Sequence, residues 1–448
     1  MVEYRCCGED EDPTSMALTA VTRLMERNGV AWDNVGWLGV GTESLTDRSK
    51  SIKSSLMRLF EEKGASQSCE GVDHYNACYG GTATLFAGLD WVNGAAWDGR
   101  WAVVVCSDIA DGPEGYEFLT GAAAVAMLVG PNATLQVEGA RVSWMIDRWD
   151  FWKPVGWKSM GPLMDGAGSM NLYYECLKKC LDLRKERTGE KSTLGGHDHM
   201  VFHLGSGPRF VRKAFQEALE HEAGAAVVAE AESEAMFEAK TKESLHIAAR
   251  VGPMHTAALY VNLFSLMTSG RVKSGDRIGM FSYGSGAASS LFSLTCKGAL
   301  KNTCTRDELL SENKRMLSAS GFQAAAMGFV ERFGQFGWSP KKSGSEKCAW
   351  YTLASVDRLG RRLYKEPDGP GGLVGQRASG KLGKPDQHKD RVICGAGIQG
   401  MEVYLPRFVA SAHDMEVADR QEGKYTQGIG MVEYRCCGED EDPTSMAL

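Results

Sequence analysis

Cys78 lies in the run Asn76-Ala77-Cys78-Tyr79-Gly80-Gly81-Thr82, after a strand-like segment and just ahead of a helix whose first turn is nearly all small residues. A thiol at a helix N-terminus is favoured as thiolate, because free backbone N–H groups and the helix dipole stabilise negative charge there. Small neighbours let a long thioester reach the sulfur. The chemistry such a cysteine offers is nucleophilic: it exchanges with a thioester and holds the acyl group covalently. A buried structural cysteine fits the same run, so the surrounding chain has to decide.

The elements that must position this cysteine are legible as alternating strands and helices. Asp12-Pro13-Thr14-Ser15 is a helix start, with a capping side chain and proline in the first turn, and Gly29 is a natural stop. Residues 35–40 (VGWLGV) read as a buried strand that ends in Gly41-Thr42-Glu43, and Ile52, Leu56, Leu59 and Phe60 fall on one face of a following helix. Residues 101–106 and 122–129 are apolar runs of strand length; 201–204 and 277–281 supply further strands, and 391–394 lead into another. This alternation predicts α/β layers around a largely parallel or mixed sheet.

Composition excludes several classes. Hydrophobic residues make up 43% and charged residues 24% of 448, the balance of a globular protein rather than a disordered one. A net charge of −7 gives no basic footprint, so nucleic acid is not expected as a partner. No unbroken apolar stretch of about 18 residues occurs, and no membrane association is expected. The acidic start MVEYRCCGEDEDP lacks the apolar run of a secretory signal, which predicts a cytoplasmic protein. None of the thirteen cysteines forms a C-x-x-C pair, so no metal site is expected and the thiols are read as free.

Residues 1–18 recur without change as residues 431–448. Such a copy is obtained by reading around a head-to-tail array slightly past one full unit. On this reading residues 1–365 form the main body and 366–390, rich in Gly, Pro and Lys, a flexible linker. Residues 391–430 are a displaced opening segment, and 431–448 a duplicate expected to be loosely held.

The run around Cys78, together with VGTES, DRSKSIKSSLMRLFEE, WDGRWAVVV, DFWKP, FEAKTKESL and RIGMFSYGSG, resembles hydroxymethylglutaryl-CoA synthase. WYTLASVDRLGRRLYKEP is similar to that family's closing strand, and GIQGMEVYLPRFV and EGKYTQGIG to its opening, so the family order is rotated by one cut. The resemblance implies a thiolase-like fold, with two similar halves of mixed β-sheet sandwiched by helices. It implies that acetyl-CoA acetylates Cys78, that the acetyl methyl loses a proton and attacks the ketone of acetoacetyl-CoA, and that water releases the product. Glu43, at a strand end, is the implied general base, its pKa raised by an apolar pocket. His203 would orient and polarise the acceptor ketone. The resemblance further assigns Asn76, Tyr79, Thr120, Arg209, Lys242 and Ser285 to substrate binding, and Asp47, Asp108 and Asp150 to acidic support. Backbone N–H groups at Cys78 and at Gly284-Ser285-Gly286 would stabilise an oxyanion. The CoA thioesters are substrates, no separate cofactor is implied, and a homodimer is the expected assembly.

The pattern departs from the family in places. The segment from His203 to Arg209 is one residue longer, with arginine where the family has lysine. Phe118-Leu119 replaces Arg-Pro. Gly-Asn-Met-Tyr becomes Gly252-Pro253-Met254-His255, which removes an asparagine usually assigned to the site. The alternatives are another thiolase-fold condensing enzyme such as a ketoacyl synthase, or an inactive homologue that binds acyl-CoA. Cys78 paired with Glu43 favours the synthase over a ketoacyl synthase.

Overall fold

A computed structural model describes residues 1–110, 119–155, 161–224, 226–312, 314–341, 349–368, 382–385 and 395–426. Phe118, residues 391–394, most of the expected linker and the second copy at 431–448 lie outside these. The first helix, Pro13–Asn28, begins and ends where its capping signals stand. Asp12 accepts from the Ser15 N–H while the Ser15 hydroxyl accepts from the Asp12 N–H, and Gly29 closes it with φ 61°. The next amphipathic stretch is broken at Met57 into Ile52–Leu56 and Arg58–Glu62, and its four apolar residues are buried as expected.

The centre of the molecule is a ten-stranded sheet. On one side Val35–Gly41 runs parallel to Trp101–Ala110, which turns back antiparallel as Gly121–Gly130. On the other, His199–Phe202 runs parallel to Arg277–Gly284, which turns back antiparallel as Ala288–Cys296. A parallel pair followed by a long hairpin therefore occurs twice, giving two similar halves of mixed sheet as expected. The runs at 101–106, 122–129 and 277–281 extend by a few residues, because the ends carry Ser, Asp and Gly that pair with a neighbour without adding hydrophobic signal, whereas the strand expected at 201–204 lies two residues earlier, at His199–Phe202.

Period-two alternation divides the sheet's faces. Val103, Val105, Ala124 and Ala126 pack with Ala17, Val21 and Leu24 of the first helix. Ala102, Val104 and Cys106 face the other way, into a cluster with Leu85 and Leu89 of the helix Gly80–Asn93. Both faces are buried, so these strands read as continuous apolar runs rather than alternating ones.

Gly397–Tyr404 is an interior strand, antiparallel to Gly121–Gly130 and to Leu135–Val137. It is tied to the first helix by a buried ion pair, Arg27 Nε to Glu402 Oε2 at 2.6 Å. Phe408–Ser411 then pairs antiparallel with Glu3–Cys6, and the Met1 ammonium donates to Thr426 O at 2.9 Å. Within the stretch expected to be a flexible linker, Leu382 N donates to Gly29 O and Gly383 O accepts from the Trp101 indole, so residues 382–385 are held against the body.

Candidate active site

Glu43 follows the strand Val35–Gly41 and Cys78 precedes the helix Gly80–Asn93. These two ends meet because the residues between them are glycine. A Cβ on Gly41 would lie 2.6 Å from the backbone of Gly80 and Gly81, and one on Gly81 would lie 2.7 Å from Cys106 Sγ and from Thr256 O. Ala77 adopts φ 43°, a left-handed turn that redirects the chain just before the cysteine.

Asp108, fully buried at the sheet's core, holds the two loops that converge on the sulfur. Its Oδ1 accepts from Thr42 Oγ1 at 2.8 Å, Glu43 N at 2.9 Å and Ser44 N at 3.0 Å. Its Oδ2 accepts from Thr256 N at 3.0 Å and from the Thr256 hydroxyl. The residue before Thr256 is His255, and so one carboxylate positions Glu43 and His255 together. Asp150 plays a similar part on the far side. It accepts from Tyr283 OH at 2.9 Å, Ser169 Oγ at 2.9 Å and Gly286 N at 2.8 Å, which holds the Gly284-Ser285-Gly286 turn. The Gly286 N–H is therefore engaged by Asp150 rather than open to an oxyanion.

At the centre, Cys78 Sγ lies 3.5 Å from Glu43 Oε2 and 3.5 Å from His255 Nδ1. His255 Nε2 faces Glu43 Oε1 at 3.4 Å, and Lys153 Nζ donates to the same oxygen at 2.9 Å. The electrostatics of this cluster reverse two expectations. Burial alone would raise the Glu43 carboxyl, but His255 and Lys153 outweigh it and bring it down to about 2. The pocket is apolar only in part: the imidazole of His255 and then the ammonium of Lys153 act on the carboxylate. The Cys78 thiol, expected to be lowered by the helix, is instead held well above its usual range. Burial is the main cause, with the negative charges of Glu43 and Asp108 adding to it and the Lys153 ammonium opposing it.

His203 follows the strand His199–Phe202 and is buried, its backbone N–H donating to Phe281 O at 2.8 Å. Burial first, then the nearby His255, lower its imidazole to about 3 against a raising effect of Glu43. It is neutral near pH 7 and able to donate an uncharged N–H. Cys78, Glu43 and His203 thus share one electrostatic neighbourhood, with Asp108 directly behind it.

The other expected residues are spread out. Asn76 Nδ2 donates to Ser285 O at 3.2 Å, bracing the two turns against each other. Tyr79 is buried with its hydroxyl on Ser290 Oγ at 2.7 Å, a packing position. Thr120 is buried and its hydroxyl has no partner among the described residues. Arg209 and Lys242 line a cleft of about 1380 Å³ that also carries Arg212, Lys213 and Arg250; Cys78 is not among its walls. Lys242 pairs with Glu238 at 2.5 Å. Asp47 is exposed and caps a turn through the Ser49 and Lys50 N–H groups, away from the cluster.

Sequence reasoning missed Lys153 and His255. Lys153 stood in the DFWKP run that drew attention only to Asp150. His255 was noted for the asparagine lost beside it, not for the imidazole present. Cys78, Glu43 and His255 offer donor atoms within 4.8 Å of one another, a spacing a cation would need. Lys153 already sets a positive charge against Glu43 there.

The family description "Hydroxymethylglutaryl-coenzyme A synthase N terminal" matches residues 2–134, and its C-terminal counterpart matches residues 210–366. The mitochondrial hydroxymethylglutaryl-CoA synthase of Sus scrofa is 41% identical over 414 residues, covering 80% of this chain and 80% of that protein. The cytoplasmic hydroxymethylglutaryl-CoA synthase of Homo sapiens is 36% identical, covering 64% of this chain and 63% of that protein. Among solved structures, "MvaS in complex with 3-hydroxy-3-methylglutaryl coenzyme A" superposes with a TM-score of 0.64 at 28% identity, covering 80% of this chain and 88% of that one. "PksG, a HMG-CoA Synthase from Bacillus subtilis" does so at 0.68 and 23% identity, covering 81% and 90%, a likeness of fold.

Proposed function

The chain belongs to the hydroxymethylglutaryl-CoA synthase family and is an acyl-CoA condensing acyltransferase; from that premise we propose that it joins acetyl-CoA to acetoacetyl-CoA through an acetyl group carried on Cys78. The acetyl carbonyl moves from CoA sulfur to Cys78 Sγ and CoA leaves as its thiol. Glu43 then removes a proton from the acetyl methyl, and the resulting enolate attacks the ketone of acetoacetyl-CoA. The neutral imidazole of His203 donates to that ketone as negative charge develops on it. Water cleaves the Cys78 thioester and releases hydroxymethylglutaryl-CoA.

One observation carries this reading. A carboxylate oxygen lies 3.5 Å from the sulfur, within reach of the methyl of an acetyl group carried on that sulfur, the geometry a general base needs. Arg209 and Lys242, on a cleft lined by both basic and acidic side chains, would hold the phosphates of CoA. Asn76, Thr120 and Ser285 would border the acyl groups. A homodimer, a cytoplasmic location and a place in the mevalonate route to isoprenoids and sterols complete the proposal. Residues 391–430 are read as the family's opening segment, carried after the body in permuted order. Among the described residues no helix is long and apolar enough to cross a membrane.

The test is a condensation assay with acetyl-CoA and acetoacetyl-CoA on the chain, on Cys78→Ala and on Glu43→Gln. Product from the chain is expected, none from Cys78→Ala, and a loss of at least about 10²-fold in Glu43→Gln, the usual scale for removing a general base. An inactive acyl-CoA-binding homologue would form no product in any of the three.

A further inference from the structure

We propose that His255 is the base that takes the Cys78 thiol proton as the acyl group is loaded, and the acid that returns it to the departing CoA sulfur. The inference rests on the reading of Cys78 as the acyl carrier and adds the step which that reading leaves without an acceptor.

Geometry supports it first. His255 Nδ1 faces the sulfur at 3.5 Å and Nε2 faces Glu43 Oε1 at 3.4 Å. In the tautomer that carries its proton on Nε2, the nitrogen facing the carboxylate, the ring keeps an unshared pair on Nδ1, which faces the thiol. The ring is held in place from several sides. His255 itself sits at φ 45°, a strained conformation for a side-chain-bearing residue, and the next residue, Thr256, is bound to Asp108 through both its N–H and its hydroxyl. Phe151 presents its ring edge-on, with centroids 6.0 Å apart. The titratable and charged groups facing the imidazole are Cys78, Glu43, Lys153, Asp108 and His203.

The alternatives to His255 are poor acceptors. Glu43 Oε2 also faces the sulfur at 3.5 Å, but this carboxylate takes the methyl proton in the following step and must be unprotonated when that step begins. Lys153 is a cation bound to Glu43, and His203 is held at about 3. His255 is lowered from its usual value chiefly by burial, so it is neutral and ready to accept near pH 7. The imidazolium formed in transit would lie beside the Glu43 carboxylate, which stabilises it. In the loading step the S–H proton passes to Nδ1 while Sγ bonds to the thioester carbonyl carbon. Collapse breaks the bond from that carbon to the CoA sulfur, which takes the proton from Nδ1 and leaves as free CoA. One carboxylate then serves two ends: Oε1 faces His255, and Oε2, facing Cys78, remains for the methyl proton.

The experiment is a single-turnover measurement of Cys78 acetylation by labelled acetyl-CoA from pH 6 to 10. It compares the chain, His255→Phe, and His255→Gly with and without imidazole; glycine suits the left-handed backbone there, so this variant keeps the turn. His255→Phe is expected to acetylate on the order of 10²-fold more slowly at pH 7. The deficit should close as rising pH ionises the thiol directly, and added imidazole should restore the rate in His255→Gly. A variant acetylating at the parent rate at pH 7 overturns the proposal. So does a loss that is the same at every pH, or one that imidazole does not relieve. If the parent chain does not acetylate on Cys78 at all, the carrier reading fails first and takes this one with it.

Discussion

At the scale of residues, the site sets buried charges against one another. His255 and then Lys153 outweigh burial and hold Glu43 ionised, while burial first, then Glu43 and Asp108, keep the Cys78 thiol protonated at rest. Buried His203 shows what this environment costs. Its folded pKa of about 3 lies below its usual 6.5, so between those values the unfolded chain binds a proton that the folded one refuses. Stability contributed by the neutral ring is therefore complete above pH 6.5 and is lost as pH falls toward 3, at up to about 1.4 kcal/mol per pH unit. The Glu43 window, from its usual 4.5 down to about 2, overlaps only the lower part of this range, so the His203 contribution is read between pH 7.5 and pH 5. Urea unfolding of the chain and of His203→Asn at pH 7.5 and pH 5 should show the chain's advantage over the variant shrinking by up to about 2 kcal/mol at the lower pH. An advantage unchanged between the two would contradict the assignment. Cys78 was legible from its own run, whereas Glu43 and Asp108 were legible through the family resemblance. Lys153 and His255 were not, since they reach Glu43 and Cys78 across 110 and 177 positions of chain, and only the folded sheet shows that.

Elements deliver those residues through close approaches and buried ties. The end of Val35–Gly41 and the start of Gly80–Asn93 touch where side chains are missing. The strand Gly397–Tyr404 is held to the first helix by Arg27 and Glu402, whose side chains are 2% and 1% exposed. Removing one partner of such a pair leaves an uncompensated buried charge, at a cost of about 3–5 kcal/mol. Glu402→Ala should lose that much in denaturant unfolding; a loss below about 1 kcal/mol would mean that the strand is anchored by its ladder alone. Caps and apolar runs showed these elements in the sequence, and the first helix ends at the glycine that announced its end. Their pairing was hidden. Nothing local in GIQGMEVY says that its neighbours are Gly121–Gly130 and Leu135–Val137, because register is settled by partners distant in sequence.

The whole molecule closes on itself where the reading order of the chain is cut. The Met1 ammonium meets Thr426 O, and Phe408–Ser411 lies beside Glu3–Cys6. A chain reordered to begin at residue 391, run to 430 and continue from residue 1 to 390 should keep the same fold and acetyl-transfer rate. Loss of activity on reordering would count against the permuted reading. The halves of the fold were foreseeable from the repeated strand–helix alternation and the family resemblance, whereas the docking of residues 382–385 on the body was not. All of this serves one claim, that Cys78 carries the acyl group. The most direct measurement is to mix the chain with acetyl-CoA alone, quench in acid, digest, and weigh the peptide that contains Cys78. An acetyl increment on that peptide, absent in Cys78→Ala, is the predicted result. Acetyl-CoA consumed with the peptide unmodified, or the label on another cysteine, would contradict it.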